Sequence, residues 1–244
     1  MKKFPALMAV ITTFWGSPGL AEGFAGPYLA ARQADYLSDF ETSARYNARL
    51  IVLDSSNLPA MESLIVSKIA MGDMEAALQI SDTFVKRGAT SQMVHLLSIA
   101  KAVKANDFDA VLAQLETQKD VGHSLVDGLI KGWASAGAGQ IDAAFAQFDE
   151  LAGDSGLASF GIFHRALLNM VIGDYQSASN ILEDLHESSG QTTVRGMRIR
   201  IQALMMQGEF KKAEALFKNS FGAKPSLQLL ALTNDLKAKR PPQT

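Results

Sequence analysis

A three-residue pattern recurs along this chain at a nearly constant step. It consists of a Gly or small polar residue, then an acid or amide, then an apolar or aromatic residue. It reads Ser38-Asp39-Phe40, Gly72-Asp73-Met74, Asn106-Asp107-Phe108, Gly139-Gln140-Ile141, Gly173-Asp174-Tyr175 and Gly208-Glu209-Phe210. The steps are 34, 34, 33, 34 and 35 residues. Self-similarity at such a period marks a stacked repeat, in which one unit buries its apolar face only against its neighbours.

Each place in the triplet has a physical task. Gly or Asn tolerates the left-handed conformation that ends a helix. The acid that follows can cap the free amides of the next helix and complement its dipole. The third residue begins that helix's apolar face. Three residues on stand Ser43, Ala77, Val111, Ala144, Ala178 and Ala213, mostly small, as two closely approaching helices require. Four further, on the same helical face, stand Asn47, Ser81, Leu115, Phe148, Leu182 and Phe217. Leu50, Phe84, Gln118, Leu151, Leu185 and Ser220 follow one turn later. Each unit therefore reads as helix, tight turn, helix, and the later units keep the apolar stripe best.

This pattern resembles the tetratricopeptide repeat, a 34-residue helix–turn–helix unit. Pro225 matches the family's closing proline, and Leu53-Asp54-Ser55-Ser56-Asn57 resembles its Leu-Asp-Pro-x-Asn ending. The family's close-packing glycine is matched by Gly132, with Ala31 and Ala166 in its place in repeats one and five, and bulky Ile65, Ile99 and Ile201 elsewhere. The family's tryptophan is absent from the start of every first helix. Armadillo and HEAT units are longer, ankyrin requires its Thr-Pro-Leu-His turn, and Sel1-like units need a longer loop between the helices. The resemblance implies an all-α, right-handed superhelical solenoid with repeats at 24–57, 58–91, 92–124, 125–158, 159–193 and 194–225. In segment 226–237, Leu229, Leu232 and Leu236 share one helical face, as a capping helix would present. The same segment also suits the first helix of a seventh repeat. Residues 238–244 form a polar tail.

The opening residues have a different character. Lys2 and Lys3 precede an uncharged, largely apolar run from Phe4 to Trp15, followed by Gly16-Ser17-Pro18-Gly19 and then Leu20-Ala21. Small residues at Gly19 and Ala21 suit a signal peptidase, so residues 1–21 read as a signal peptide cleaved after Ala21. Twelve residues of helix rise about 18 Å, short of the roughly 30 Å of a bilayer's hydrocarbon core. A periplasmic protein is the expectation, with no membrane span remaining after cleavage. The sequence contains no cysteine, which excludes disulfides, thiol chemistry and a lipidated cysteine after the signal.

The 23 basic residues nearly balance the 25 acids. No basic stripe of the kind that binds phosphate is present, so nucleic acid is not an expected partner. No P-loop or His-Glu-x-x-His occurs. His95, His123, His164 and His186 lie in different repeats without metal-ligand spacing, and no metal or cofactor is expected. Gly153-Asp154-Ser155-Gly156 imitates a protease nucleophile segment but falls between helices, where it reads as a turn. Capping accounts for most carboxylates, and we expect no catalytic residues.

In the family the first helix of each repeat lines a concave face that holds a peptide or helix. The register places Met93 and Leu96 there in repeat three, with Ala100 and Val103. Repeat four contributes Leu129 and Trp133, with Val126, and repeat five Phe160, Phe163 and Leu167, with Met170. Repeat six contributes Arg195 and Arg198, with Gln202 and Met205, and repeat two Glu62, Val66 and Ile69. Such a groove suits an amphipathic helix or extended peptide with an apolar stripe and an acidic end. These mostly aliphatic positions do not suit a clamp for carboxylates. The expected function is a protein–protein interaction scaffold or adaptor with a protein or peptide partner. The alternative is a structural or regulatory subunit of an envelope complex that docks through its outer face, its groove self-packed.

Overall fold

The computed structural model describes residues 23–117, 124–154, 156–189, 193–222 and 226–241. The signal-peptide reading, Gln118, His123, Ser155, Pro225 and the last residues of the tail lie outside the described residues. Every regular element among the described residues is helical: α1 (Ala25–Leu37), α2 (Phe40–Leu53), α3 (Leu58–Ala70), α4 (Met74–Lys86), α5 (Gln92–Lys104), α6 (Phe108–Thr117), α7 (Ser124–Gly137), α8 (Ile141–Gly153), α9 (Ala158–Ile172), α10 (Tyr175–Ser189), α11 (Val194–Met206), α12 (Phe210–Phe221) and α13 (Leu230–Ala238). They form six helix pairs and a closing helix, as the repeat pattern leads one to expect. The chain divides into two compact units, residues 1–90 with α1 to α4 and residues 91–244 with α5 to α13.

The recurring triplets sit at the turns inside the pairs. All six of their first residues are left-handed, with φ of 55° at Ser38, 56° at Asn106 and 77° to 84° at Gly72, Gly139, Gly173 and Gly208. The acid then caps the next helix. Asp39 accepts from the Thr42 amide at 3.1 Å, Asp73 from Ala76 at 3.3 Å, Asp107 from Ala110 at 3.1 Å and Asp174 from Ser177 at 3.0 Å. Capping stops short of all six turns, because Gln140 and Glu209 make no side-chain cap bond. Their side chains are longer by a methylene than Asp, and the Ncap geometry favours the short acceptor.

In the first unit α1, α2, α3 and α4 pack successively. Leu50, Ala31 and Ala60 form an apolar cluster beside Tyr46 and Ile51. Beside it lies a polar network. Ser43 Oγ donates to Asp35, Ser43 and Ser67 hydroxyls lie 2.8 Å apart, and Asn47 Nδ2 donates to Ser43 O and Oγ at 3.1 Å each. Ser67 also bonds the Ser63 carbonyl at 2.8 Å. Ser43, Asn47 and Ser67 are all buried.

In the second unit the core is apolar. Ala144, Phe148, Leu151 and Leu168 form one cluster between α8 and α9. Ala178 and Leu182 are buried on α10. Two glycines let helices approach. A Cβ on Gly132 would stand 2.2 Å from Phe148 Cε1, and one on Gly161 would stand 2.4 Å from the Ala152 backbone nitrogen. After α12 the chain makes a short 3-10 turn, Leu227–Leu229, and enters α13. Leu229, Leu232 and Leu236 close over Met197, Ile201, Met205, Ala213 and Phe217. The expected groove position of Met205 is corrected by this packing: it is 1% exposed and belongs to that core. α11 packs between α10 and α12, and Met205 joins the cluster of Leu229, Leu232 and Leu236, so its side chain keeps no solvent face.

Candidate binding groove

The first helices of repeats four, five and six, α7, α9 and α11, touch in succession within the second unit. Their shared surface holds an open recess of about 400 Å³ lined by Trp133, Leu167, Met170, Arg195, Ile199 and Gln202, with Val171 at its edge. That volume lies in the range of about 300–1,000 Å³ found for ligand sites.

Trp133 occupies its place because of its neighbour. Gly132 lets α7 settle on the Phe148 ring, and the adjoining indole packs 5.6 Å from that ring, centroid to centroid. The indole Nε1 then donates to His164 Nδ1 at 2.8 Å. An acceptor Nδ1 places any ring proton of neutral His164 on Nε2. Burial, and then the positive charge of Arg195, hold His164 below its ordinary value of 6.5 and favour this neutral form. His164 also meets Phe163 edge-on at 5.7 Å and Trp133 edge-on at 5.9 Å. Arg195 lies over the Phe163 ring, its guanidinium carbon 5.7 Å from the centroid. The groove wall is thus a chain of contacts: Phe148, Trp133, His164, Phe163, Arg195.

The expected groove residues divide into three groups. Trp133, Leu167 and Arg195 line the recess, and Phe163 supports Arg195. Leu129 leans against the core cluster of Phe148 and is half-buried. Phe160 is 46% exposed and Met93 37%, while Leu96 and Arg198 are half-buried, and none of the four lines the recess. Arg198 Nε is enclosed and has no hydrogen-bond partner among the described residues. His164 and Ile199 belong to the site although the register did not single them out. The signal for His164 was available: Leu167 is the repeat equivalent of Trp133, and His164 lies one helical turn before it.

The other histidines have different surroundings. His95 is buried on α5, its Nε2 3.4 Å from Asp127 of α7, and Gln114 Nε2 donates to its carbonyl at 3.3 Å. His186 is exposed on α10. Among the described residues no group of three His, Cys, Asp or Glu could hold a metal ion, and no helix is long and apolar enough to cross a membrane. In the protease-like segment, Asp154 accepts from the Gly156 amide at 2.8 Å, which is turn chemistry.

No protein-family model matches the chain, and no curated protein matches it. Solved structures do resemble it. One is a tetratricopeptide repeat protein from Parabacteroides merdae, with a TM-score of 0.68 and 15% identity over 88% of this chain and 86% of that one. Another is PilW, described as a widely conserved type IV pilus biogenesis factor, with a TM-score of 0.61 and 14% identity over 85% of this chain and 97% of that one. At such identities the likeness is one of fold. The six left-handed turns, the helix pairs and these neighbours together give the chain the fold of tetratricopeptide repeat proteins.

Proposed function

We propose that the protein is a periplasmic interaction scaffold that holds a protein partner in the α7–α9–α11 groove of its second unit. The observation that carries this reading is the open recess between Trp133 and Arg195, apolar on its walls and cationic on one side. An adaptable surface of Trp133, Leu167, Met170 and Ile199 suits an apolar side chain presented by a helix or extended strand. Arg195 suits an acidic residue beside that anchor. Arg195 is already oriented by the Phe163 ring, so less side-chain freedom is lost when the acid arrives. The periplasmic setting follows from the signal-like residues 1–21.

The test is fluorescence anisotropy with a labelled amphipathic peptide carrying a leucine–phenylalanine stripe and a terminal aspartate pair. We expect saturable binding that Phe163→Asp abolishes while the melting curve stays cooperative. Binding of equal strength to the folded variant would contradict the groove.

A further inference from the structure

Four consecutive helices of the second unit, α8 to α11, segregate their charge between the two layers. The first helices α9 and α11 carry Arg165, Arg195, Arg198 and Arg200 and no acid. The second helices α8 and α10 carry Asp142, Asp149, Glu150, Glu183, Asp184 and Glu187 and no Lys or Arg. Two ion pairs tie the layers, Arg165 to Asp149 at 3.0 Å and Arg200 to Glu183. The remaining acids of α8 and α10 face outward and are exposed. α12, the next second helix, breaks the trend with Lys211, Lys212 and Lys218.

This acidic layer is indented. A recess of about 440 Å³ opens between α8 and α10 with α9 as its floor. Asn169, 5% exposed, forms part of the floor and commits its Nδ2 to the Arg165 carbonyl at 2.9 Å. Its remaining polar atom, Oδ1, is an acceptor. Phe145 and Ile181 supply apolar wall, and Asp184 and Asn180 stand on the α10 side. Arg165 is neutralised by Asp149, whereas Asp184 has no cation within ion-pair distance among the described residues. An apolar wall, a carboxylate with no counter-ion among the described residues and an amide acceptor match a lysine or arginine side chain, whose aliphatic stem and charged head need both kinds of surface.

We infer that the α8–α10 face is a second docking site, which takes a basic amphipathic segment of a protein partner with its cationic head at Asp184 and an apolar residue on Phe145 and Ile181. It is separate from the groove on α7, α9 and α11, and its existence does not depend on what that groove binds. With opposite charges on its two layers, one unit would join an acidic segment on one side to a basic segment on the other.

The experiment uses the full chain and two labelled peptides, one with leucines and with lysines one helical turn apart, the other with glutamates for the lysines. The lysine peptide should bind in preference, more weakly as salt is added. Asp184→Asn should lower its affinity about three-fold, the scale of an exposed ion pair. Asp184→Lys should reverse the preference toward the glutamate peptide. Arg195→Gln, in the other groove, removes that groove's charge without creating an acid and should leave lysine-peptide affinity unchanged, so that failure of this site and failure of the groove can be told apart. Equal binding of the two peptides, indifference to Asp184→Lys, or loss on Arg195→Gln would overturn the inference. Self-association of the chain that disappears in Asp184→Lys would also overturn it, by giving the face to a second copy.

Discussion

Repeats four, five and six place Ala144 with Phe148, Ala178 with Leu182, and Ala213 with Phe217 at two equivalent positions of the second helix. The first repeat places Ser43 with Asn47 there, and the second Ala77 with Ser81. The backbone plan is shared, down to the left-handed turn and the capping Asp at Asp39, Asp73 and Asp174. The interior differs. Where the second unit fills the space with apolar volume, the first unit spans it with hydrogen bonds among Asp35, Ser43, Asn47 and Ser67. A satisfied buried network adds little net stability over an apolar filling, but it becomes costly when one member is removed. A Phe or Leu at the same place stabilises through area and packing. The comparison shows that the repeat period constrains where a side chain points and leaves open which kind of core it meets.

The largest expected effect tests the apolar side. Phe148 is fully buried and packs against Gly132, Trp133 and His164, so Phe148→Ala should destabilise the second unit by about 3–5 kcal/mol. Hydrogen exchange should localise the loss to residues beyond Ser91. Equal loss of protection in α1 to α4 would deny the two units their separate cores. Next comes the close approach of α8 and α9. Gly161→Ala pushes a methyl into the Ala152 backbone, for about 1–3 kcal/mol in a denaturant titration.

The polar side makes a contrasting prediction. Ser43→Ala leaves Asp35, Asn47 and Ser67 without their shared partner and should cost about 1–3 kcal/mol. Ser43→Ala combined with Asn47→Leu and Ser67→Ala should recover most of that loss, because the two fully buried groups leave with Ser43 and only the half-buried Asp35, which water can reach, stays. A triple variant weaker than Ser43→Ala would mean the network is itself a net stabiliser.

Acidification supplies the smallest and most selective effects. His164, with its value held below 6.5, lets the unfolded chain bind more protons than the folded one just under that pH. Its contribution to stability should therefore fall as pH drops below 6.5, and the fall should vanish in His164→Gln. Asp39, Asp73 and Asp174 are held below their ordinary 3.8, first by backbone hydrogen bonds at Asp39 and Asp174 and by Lys68 at Asp73. Their stabilisation is complete above 3.8 and is lost as pH falls from there through their lower folded values, in both units. A melting series against pH should show these as two separate windows.

The regular parts of the fold were legible because they repeat. The positive φ at Ser38 and Asn106, like that at the four turn glycines, follows from a residue type placed at a fixed phase. The Leu229, Leu232 and Leu236 face follows from helical spacing alone. The groove was legible only in part. A register says that Trp133, Leu167 and Arg195 share a side, and the recess joins them. It does not say that Leu129 leans into the core or that α13 closes over Met205, since both depend on what neighbouring helices cover. The Trp133–His164 bond joins residues 31 apart, off the repeat step by one turn, which a strict period passes over. The polar network was visible as Ser43 and Asn47 breaking the stripe, but Asp35 and Ser67 lie on other helices and only packing brings them together.

Trp133 offers the most direct test of the groove. The sequence has two tryptophans, Trp15 and Trp133, so a chain beginning at Glu22 carries Trp133 alone. Its emission should shift and saturate as the acidic-ended apolar peptide is added, and Phe163→Asp should remove the response while the fold still melts cooperatively. Peptide binding that leaves Trp133 emission unchanged, or a response that persists in the folded Phe163→Asp variant, would contradict the account.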